Sequence, residues 1–132
     1  MLKPEALPYK EQIMGMIEKA GMPIVEWRHF QMEEKHLKAM YPTLSGEKLH
    51  KTKEYLLGKD VLAAVVEGDN VIDRLHKVCG EHVKPFLCDS DSIRNQFRNI
   101  TPSDETFPKN IIHRPKTKQE AEEHLVLFFP DR

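Results

Sequence analysis

Asn110-Ile111-Ile112-His113 is the segment of this chain with the clearest capacity for chemistry. Two β-branched apolar residues suit a short buried strand, and a histidine stands where that strand runs out. Thr117-Lys118-Gln119-Glu120 follows closely. This is the pattern of a capping box, in which Thr and Glu each satisfy an orphan backbone N–H at a helix start. An imidazole between a strand end and a helix N-terminus is placed to meet an anion, because the first helical N–H groups carry partial positive charge. Its ordinary pKa of about 6.5 leaves it mostly neutral, and so nucleophilic, near pH 7. Read alone, the segment fits a histidine that caps a strand at least as well. The rest of the chain decides between the two.

The elements that must position this histidine are legible from periodicity. Lys10 to Ala20 carries Ile13, Met16, Ile17 and Ala20 at helical spacing, with Gly21 as a stop. Pro23 to Met32 alternates β-branched and aromatic residues with charges, as a one-sided strand does. Glu33 to Tyr41 is a short helix ended by Pro42, and Ser45 to Leu57 a polar helix closed by Gly58. Val61 to Val66 is a continuous apolar run of strand type, and Asn70 to Cys79 a helix with a buried stripe. Between Glu81 and Lys109 the pattern gives way to a long loop with one short helix, Ser92 to Phe97. A last helix runs from Lys118 to Phe129. Strands separated by helices in 132 residues predict a single domain, 1–132. The expected fold is an α+β sandwich in which helices cover a ferredoxin-like antiparallel sheet.

Composition narrows the function. A formal net charge of -1 with 31% charged residues provides no bulk field for nucleic acid or acidic lipid. Two cysteines, Cys79 and Cys88, make neither a disulfide framework nor a zinc ribbon, and Cys79 falls on an apolar helical face. No apolar run reaches the length of a membrane span, and Met1-Leu2-Lys3-Pro4-Glu5 lacks the apolar region of a signal peptide. A cytoplasmic protein is expected.

Taken in order, the segments resemble nucleoside diphosphate kinases over nearly the whole chain. Leu2-Lys3-Pro4-Glu5-Ala6 is similar to that family's lysine-proline-aspartate opening, and Ile17-Glu18-Lys19-Ala20-Gly21 to the end of its first helix. Val65-Val66-Glu67-Gly68 with Asn70-Val71 resembles its central strand and following helix. Ser92-Ile93-Arg94 resembles its threonine-isoleucine-arginine turn, and Asn110-Ile111-Ile112-His113 its active-site strand. The resemblance implies transfer of a γ-phosphoryl group between nucleotides through a phosphohistidine, with Mg²⁺ bound along with the nucleotide. It assigns His113 as the nucleophile, Lys3 and Arg94 to the phosphates, Tyr41 to the neighbourhood of the nucleophile and Asn110 to the ribose. Leu49 and Phe107 correspond to the base-stacking positions. It also implies a homo-oligomer built from dimers, as a tetramer or hexamer.

The chain departs from that pattern around the same histidine. His76 and His82 stand in place of a phosphate-binding arginine and threonine, and His124 in place of the glutamate that hydrogen-bonds the nucleophile. Arg114-Pro115 replaces a small pair of residues after it. Only Met1 and Leu2 precede Lys3, where the family has an interior strand, so a longer chain with an apolar strand upstream is expected. Three readings follow: a phosphotransferase with a modified pocket, a non-catalytic nucleotide-binding or assembly module on the same fold, and a metal site formed by His76, His82, His113 and His124.

Overall fold

The computed structural model describes residues 1–102, 104 and 106–132. Two strands form its sheet, β1 (Ile24–Gln31) and β2 (Asp60–Val66), paired antiparallel from Ile24 opposite Val66 to Gln31 opposite Asp60. The far side of β2 is met by the N-terminal residues: Leu2 bridges Leu62 on one flank and Ile112 on the other, both antiparallel. Residues 1–3 therefore lie inside the sheet, between β2 and the segment that ends at His113.

The apolar run of β2 has a simple cause. Leu62 points into one core with Leu2, Ile13, Ile17, Ile93 and Ile111. Val61, Ala63 and Val65 point into a second core with Leu37, Met40, Leu56, Phe128 and Phe129. A strand buried on both faces needs apolar residues at consecutive positions, not alternate ones. β1 is covered on one face only, and its exposed positions alternate with half-buried ones. Val25 and Trp27 face outward.

The helices are α1 (Lys10–Lys19), α2 (Glu34–Met40), α3 (Gly46–Leu56), α4 (Val71–Cys79), α5 (Ile93–Gln96) and α6 (Lys118–Phe128). All fall within a residue or two of the periodicity reading. In α1, Ile13 and Ile17 are buried as expected, but Ala20 is exposed because the helix ends a residue before it. Two 3₁₀ turns, Pro4–Tyr9 and Pro85–Leu87, carry no apolar periodicity and were not expected. The expected long stretch from Glu81 to Lys109 contains positions 103 and 105, which lie outside the described residues. Cys79 and Cys88 are buried free thiols.

Helix α2 packs on α6 through the His36 ring, which stacks on Phe128 with centroids 5.1 Å apart. This contact holds the end of α2, and Tyr41 just beyond it, against the helix that follows His113.

Candidate active site

The segment before His113 is tighter than a strand. The Ile112 N–H donates to the Asn110 carbonyl at 2.7 Å, closing a three-residue turn, and Ile111 takes a φ of 75°. A β-branched residue in that region is strained, at a cost of order 1–3 kcal/mol. Complete burial of the Ile111 side chain offsets it. Its carbonyl accepts the Lys3 N–H at 2.9 Å, and His113 exchanges backbone hydrogen bonds with Met1. The expected regular strand is thus a single bridge at Ile112 beyond a γ-turn.

Arg94 fixes this turn. Its guanidinium donates to the carbonyls of Ile112 (2.7 Å), Gly80 (3.2 Å) and His82 (3.1 Å) and is 5% exposed. A fork committed to three backbone carbonyls is a scaffold element, and in this arrangement it is not presented to an open cleft. Arg114 adds a second buried guanidinium that donates to Gly80 at 2.9 Å. Gly80 has no Cβ to obstruct these contacts: one built there would lie 2.8 Å from the Cys88 Sγ and 3.1 Å from the Arg94 side chain.

Lys3 and Asn110 face a cleft of about 220 Å³ that is also lined by Tyr41, Lys48, Thr52 and Phe107. The Lys3 ammonium donates to Asn110 Oδ1 at 2.5 Å and sits 5.6 Å from the centre of the Tyr55 ring. Burial, reinforced by Arg94 and opposed by Glu5, pushes the Lys3 pKa down to about 7. Glu5 accepts a hydrogen bond from the Tyr55 hydroxyl through Oε1, while its Oε2 is buried without a partner. Burial raises the Tyr41 phenol to about 12, so it stays protonated. Leu49 does not line this cleft. Lys48 and Thr52, on the neighbouring turns of α3, do so instead.

His113 lies beyond Tyr41, with ring centroids 5.6 Å apart. It lines an apolar cavity between β2 and α6. Burial, together with the positive charge of the amino terminus and Lys3, holds its pKa well below the ordinary imidazole value. Its Nε2 is buried without a hydrogen bond and lies 3.8 Å from Glu120 Oε1. Helix α6 opens as expected, with Thr117 Oγ1 accepting the Glu120 N–H at 3.1 Å. The return bond of the capping box is absent among the described residues. The Glu120 carboxylate turns to His113 instead. Glu120 thus brings a carboxylate toward His113 where position 124 carries a histidine. Both face His113 because 120 and 124 are one turn apart. That spacing was the available signal.

Of the other histidines, His124 stays beside His113, and His76 and His82 find other partners. The His124 ring lies 5.4 Å from that of His113. His76 packs its Nε2 3.3 Å from the Pro115 carbonyl, and His82 accepts the Lys84 N–H with Nδ1. His82 borders a different depression, with Lys77, Glu81 and Asp89. A four-histidine site is therefore not assembled: backbone groups of Pro115 and Lys84 claim two of its members.

The description nucleoside diphosphate kinase fits a family model over residues 1–132. The chain is 27% identical to a nucleoside diphosphate kinase of Methanocaldococcus jannaschii, over 98% of its own length and 90% of that protein's. It is 30% identical to one of Methanobrevibacter smithii, over 98% of this chain and 83% of the relative. Among solved structures, the Borrelia burgdorferi nucleoside diphosphate kinase with bound vanadate and ADP superposes with a TM-score of 0.83 at 21% identity, covering 98% of this chain and 84% of that one. The Aquifex aeolicus enzyme gives a TM-score of 0.81 at 24% identity, covering 97% and 90%. The antiparallel sheet with its helices is accordingly the ferredoxin-like α+β fold of these structures. With the match running from the first residue to the last, this chain belongs to the nucleoside diphosphate kinase family.

Proposed function

We propose that the protein transfers a γ-phosphate from a nucleoside triphosphate to a nucleoside diphosphate through a phosphohistidine at His113. One observation carries this reading: a neutral histidine with Nε2 turned to a carboxylate stands beside a tyrosine that borders the cleft of Lys3 and Asn110. A carboxylate facing Nε2 from 3.8 Å favours the tautomer with the proton on Nε2, which leaves Nδ1 with the free lone pair for attack on phosphorus. Lys3 meets the terminal phosphates as a desolvated cation, and Asn110 holds the sugar. Phe107 offers a ring to the base from the rim of the cleft. Lys48 adds charge at the mouth.

The donor set fits Mg²⁺ that arrives with the nucleotide. Glu5, a half-buried carboxylate near Lys3, has a buried and unpartnered Oε2, and a metal bound mainly through phosphates and water needs few protein ligands. Mg²⁺ would neutralise phosphate charge there. Assembly as a homo-oligomer built from dimers belongs to the same reading, since β1 pairs on one edge only among the described residues and exposes Val25 and Trp27. No described helix is long and apolar enough to cross a membrane.

The second reading, a nucleotide-binding module with little turnover, draws on Arg94. A guanidinium bonded to Ile112, Gly80 and His82 provides less charge to a transition state that spreads over phosphoryl oxygens. Initial rates with ATP and a second nucleoside diphosphate distinguish the two. Parallel double-reciprocal lines with new triphosphate formed support ping-pong transfer. Nucleotide binding without product supports the module.

A further inference from the structure

We propose that His113, Glu120 and His124 form a binding site for a single Zn²⁺ ion, separate from the Mg²⁺ that accompanies a nucleotide. Donor atoms of the three side chains all lie within 4.8 Å of one another. Nε2 of His113 and Nε2 of His124 are both buried and both without a hydrogen-bond partner. His124 is 9% exposed, so water does not serve its nitrogen from bulk. Two orphaned imidazole nitrogens beside one carboxylate are an incomplete polar cluster. An ion that accepts lone pairs completes it.

The site follows from the helix. Glu120 and His124 stand four residues apart on α6, so their side chains project from one face. The γ-turn at Ile111 then brings His113 across to that face. Tetrahedral coordination at about 2.0–2.2 Å places donors roughly 3.3–3.6 Å apart. The present spacing of up to 4.8 Å needs a closure of roughly 1 Å, and the Glu120 side chain, 28% exposed, is the least enclosed of the three. Two imidazoles and one carboxylate leave a fourth position open to the cavity between β2 and α6. The nitrogen ligands select against Mg²⁺, which takes oxygen donors, and favour Zn²⁺. Charge is mixed: the amino terminus, Lys3 and Arg94 act on His113 as repelling cations, while the carboxylates of Glu120 and Glu123 attract at His124. Zn²⁺ takes the Nε2 lone pair of His113 and leaves the ring proton on Nδ1, so the zinc-loaded form does not attack phosphorus, and the site stands whether or not His113 carries a phosphoryl group.

The test is competition for Zn²⁺ between the protein, without nucleotide, and a chromophoric chelator. The variants are Glu120→Gln, His124→Gln and, as a surface control, His50→Gln, whose imidazole pairs with Glu54 at 3.0 Å on the exposed face of α3. One equivalent should bind to the wild-type protein and survive excess Mg²⁺. Glu120→Gln and His124→Gln should each lose at least about tenfold in affinity, as loss of a coordinating group or its support does. His50→Gln should bind as the wild type does. Circular dichroism checks that each variant is folded, and Glu120→Gln, a substitution at a partly exposed position, carries the test if His124→Gln is not. Unchanged affinity in Glu120→Gln would overturn the site, as would loss of binding in His50→Gln or displacement by Mg²⁺ at comparable concentration.

Discussion

Replacing Lys3 by Met should flatten the dependence of stability on pH. The ammonium is buried, bonded to Asn110 and repelled by Arg94, and its pKa falls from 10.5 to about 7. Between those two values the unfolded chain holds the proton and the folded chain does not, so stability rises with pH across the window. Below about pH 7 both states are charged, and the full burial cost of the cation is present. Integrating between pH 6.5 and pH 9 with these two pKa values gives a gain of roughly 2.5 kcal/mol in the wild-type protein from this group alone. Methionine has similar length and no charge, so Lys3→Met removes that gain and leaves the contributions of all other groups in place. The assay is urea denaturation of both proteins at the two pH values. The quantity to read is the difference between their stability changes, in which shared titrations cancel. Parallel profiles would refute the reasoning, and would mean that the Lys3 ammonium is solvated.

Nucleoside diphosphate binding at pH 8 should take up a proton, because phosphate draws Lys3 back to its charged form; calorimetry in buffers of different ionisation enthalpy measures it, and Lys3→Met should abolish it. Glu120→Gln should lower the rate of phosphoryl transfer by about tenfold, or roughly 1.4 kcal/mol, with little change in nucleotide affinity, since its charge acts on His113 and not on the ligand. Arg94→Met should destabilise the fold by about 2–4 kcal/mol in chemical denaturation, because three carbonyls lose a donor in a buried place. Gly80→Ala should cost about 1–3 kcal/mol in the same assay, since the φ of 121° and the Cys88 Sγ at 2.8 Å both oppose a Cβ.

Much of this architecture was legible in the sequence. The helices and both strands follow from apolar spacing, and the two-sided burial of β2 explains why its apolar run is unbroken. The ordered motifs identified the family. Three features were not legible. The turn at Ile111 hides behind residues that favour strands, because tertiary burial overrides a β-branched residue's backbone preference. In the sequence Glu120 has only the pattern of a cap, since a local pattern does not reveal that a carboxylate will turn toward a distant ring. Arg94 resembled a phosphate clamp, yet its fork is held by Gly80, His82 and Ile112, carbonyls that converge on it only once α4 and the γ-turn are in place. Spacing reports which face of an element a residue occupies. It does not report which partner claims its side chain.

The central claim is that His113 carries the phosphoryl group, and the direct measurement is transfer of label from γ-labelled ATP to the protein. The account predicts an acid-labile, base-stable label that leaves when a nucleoside diphosphate is added, and none in a folded His113→Asn variant. Equal labelling of that variant, or an unlabelled wild-type protein that nevertheless binds nucleotide, would contradict it.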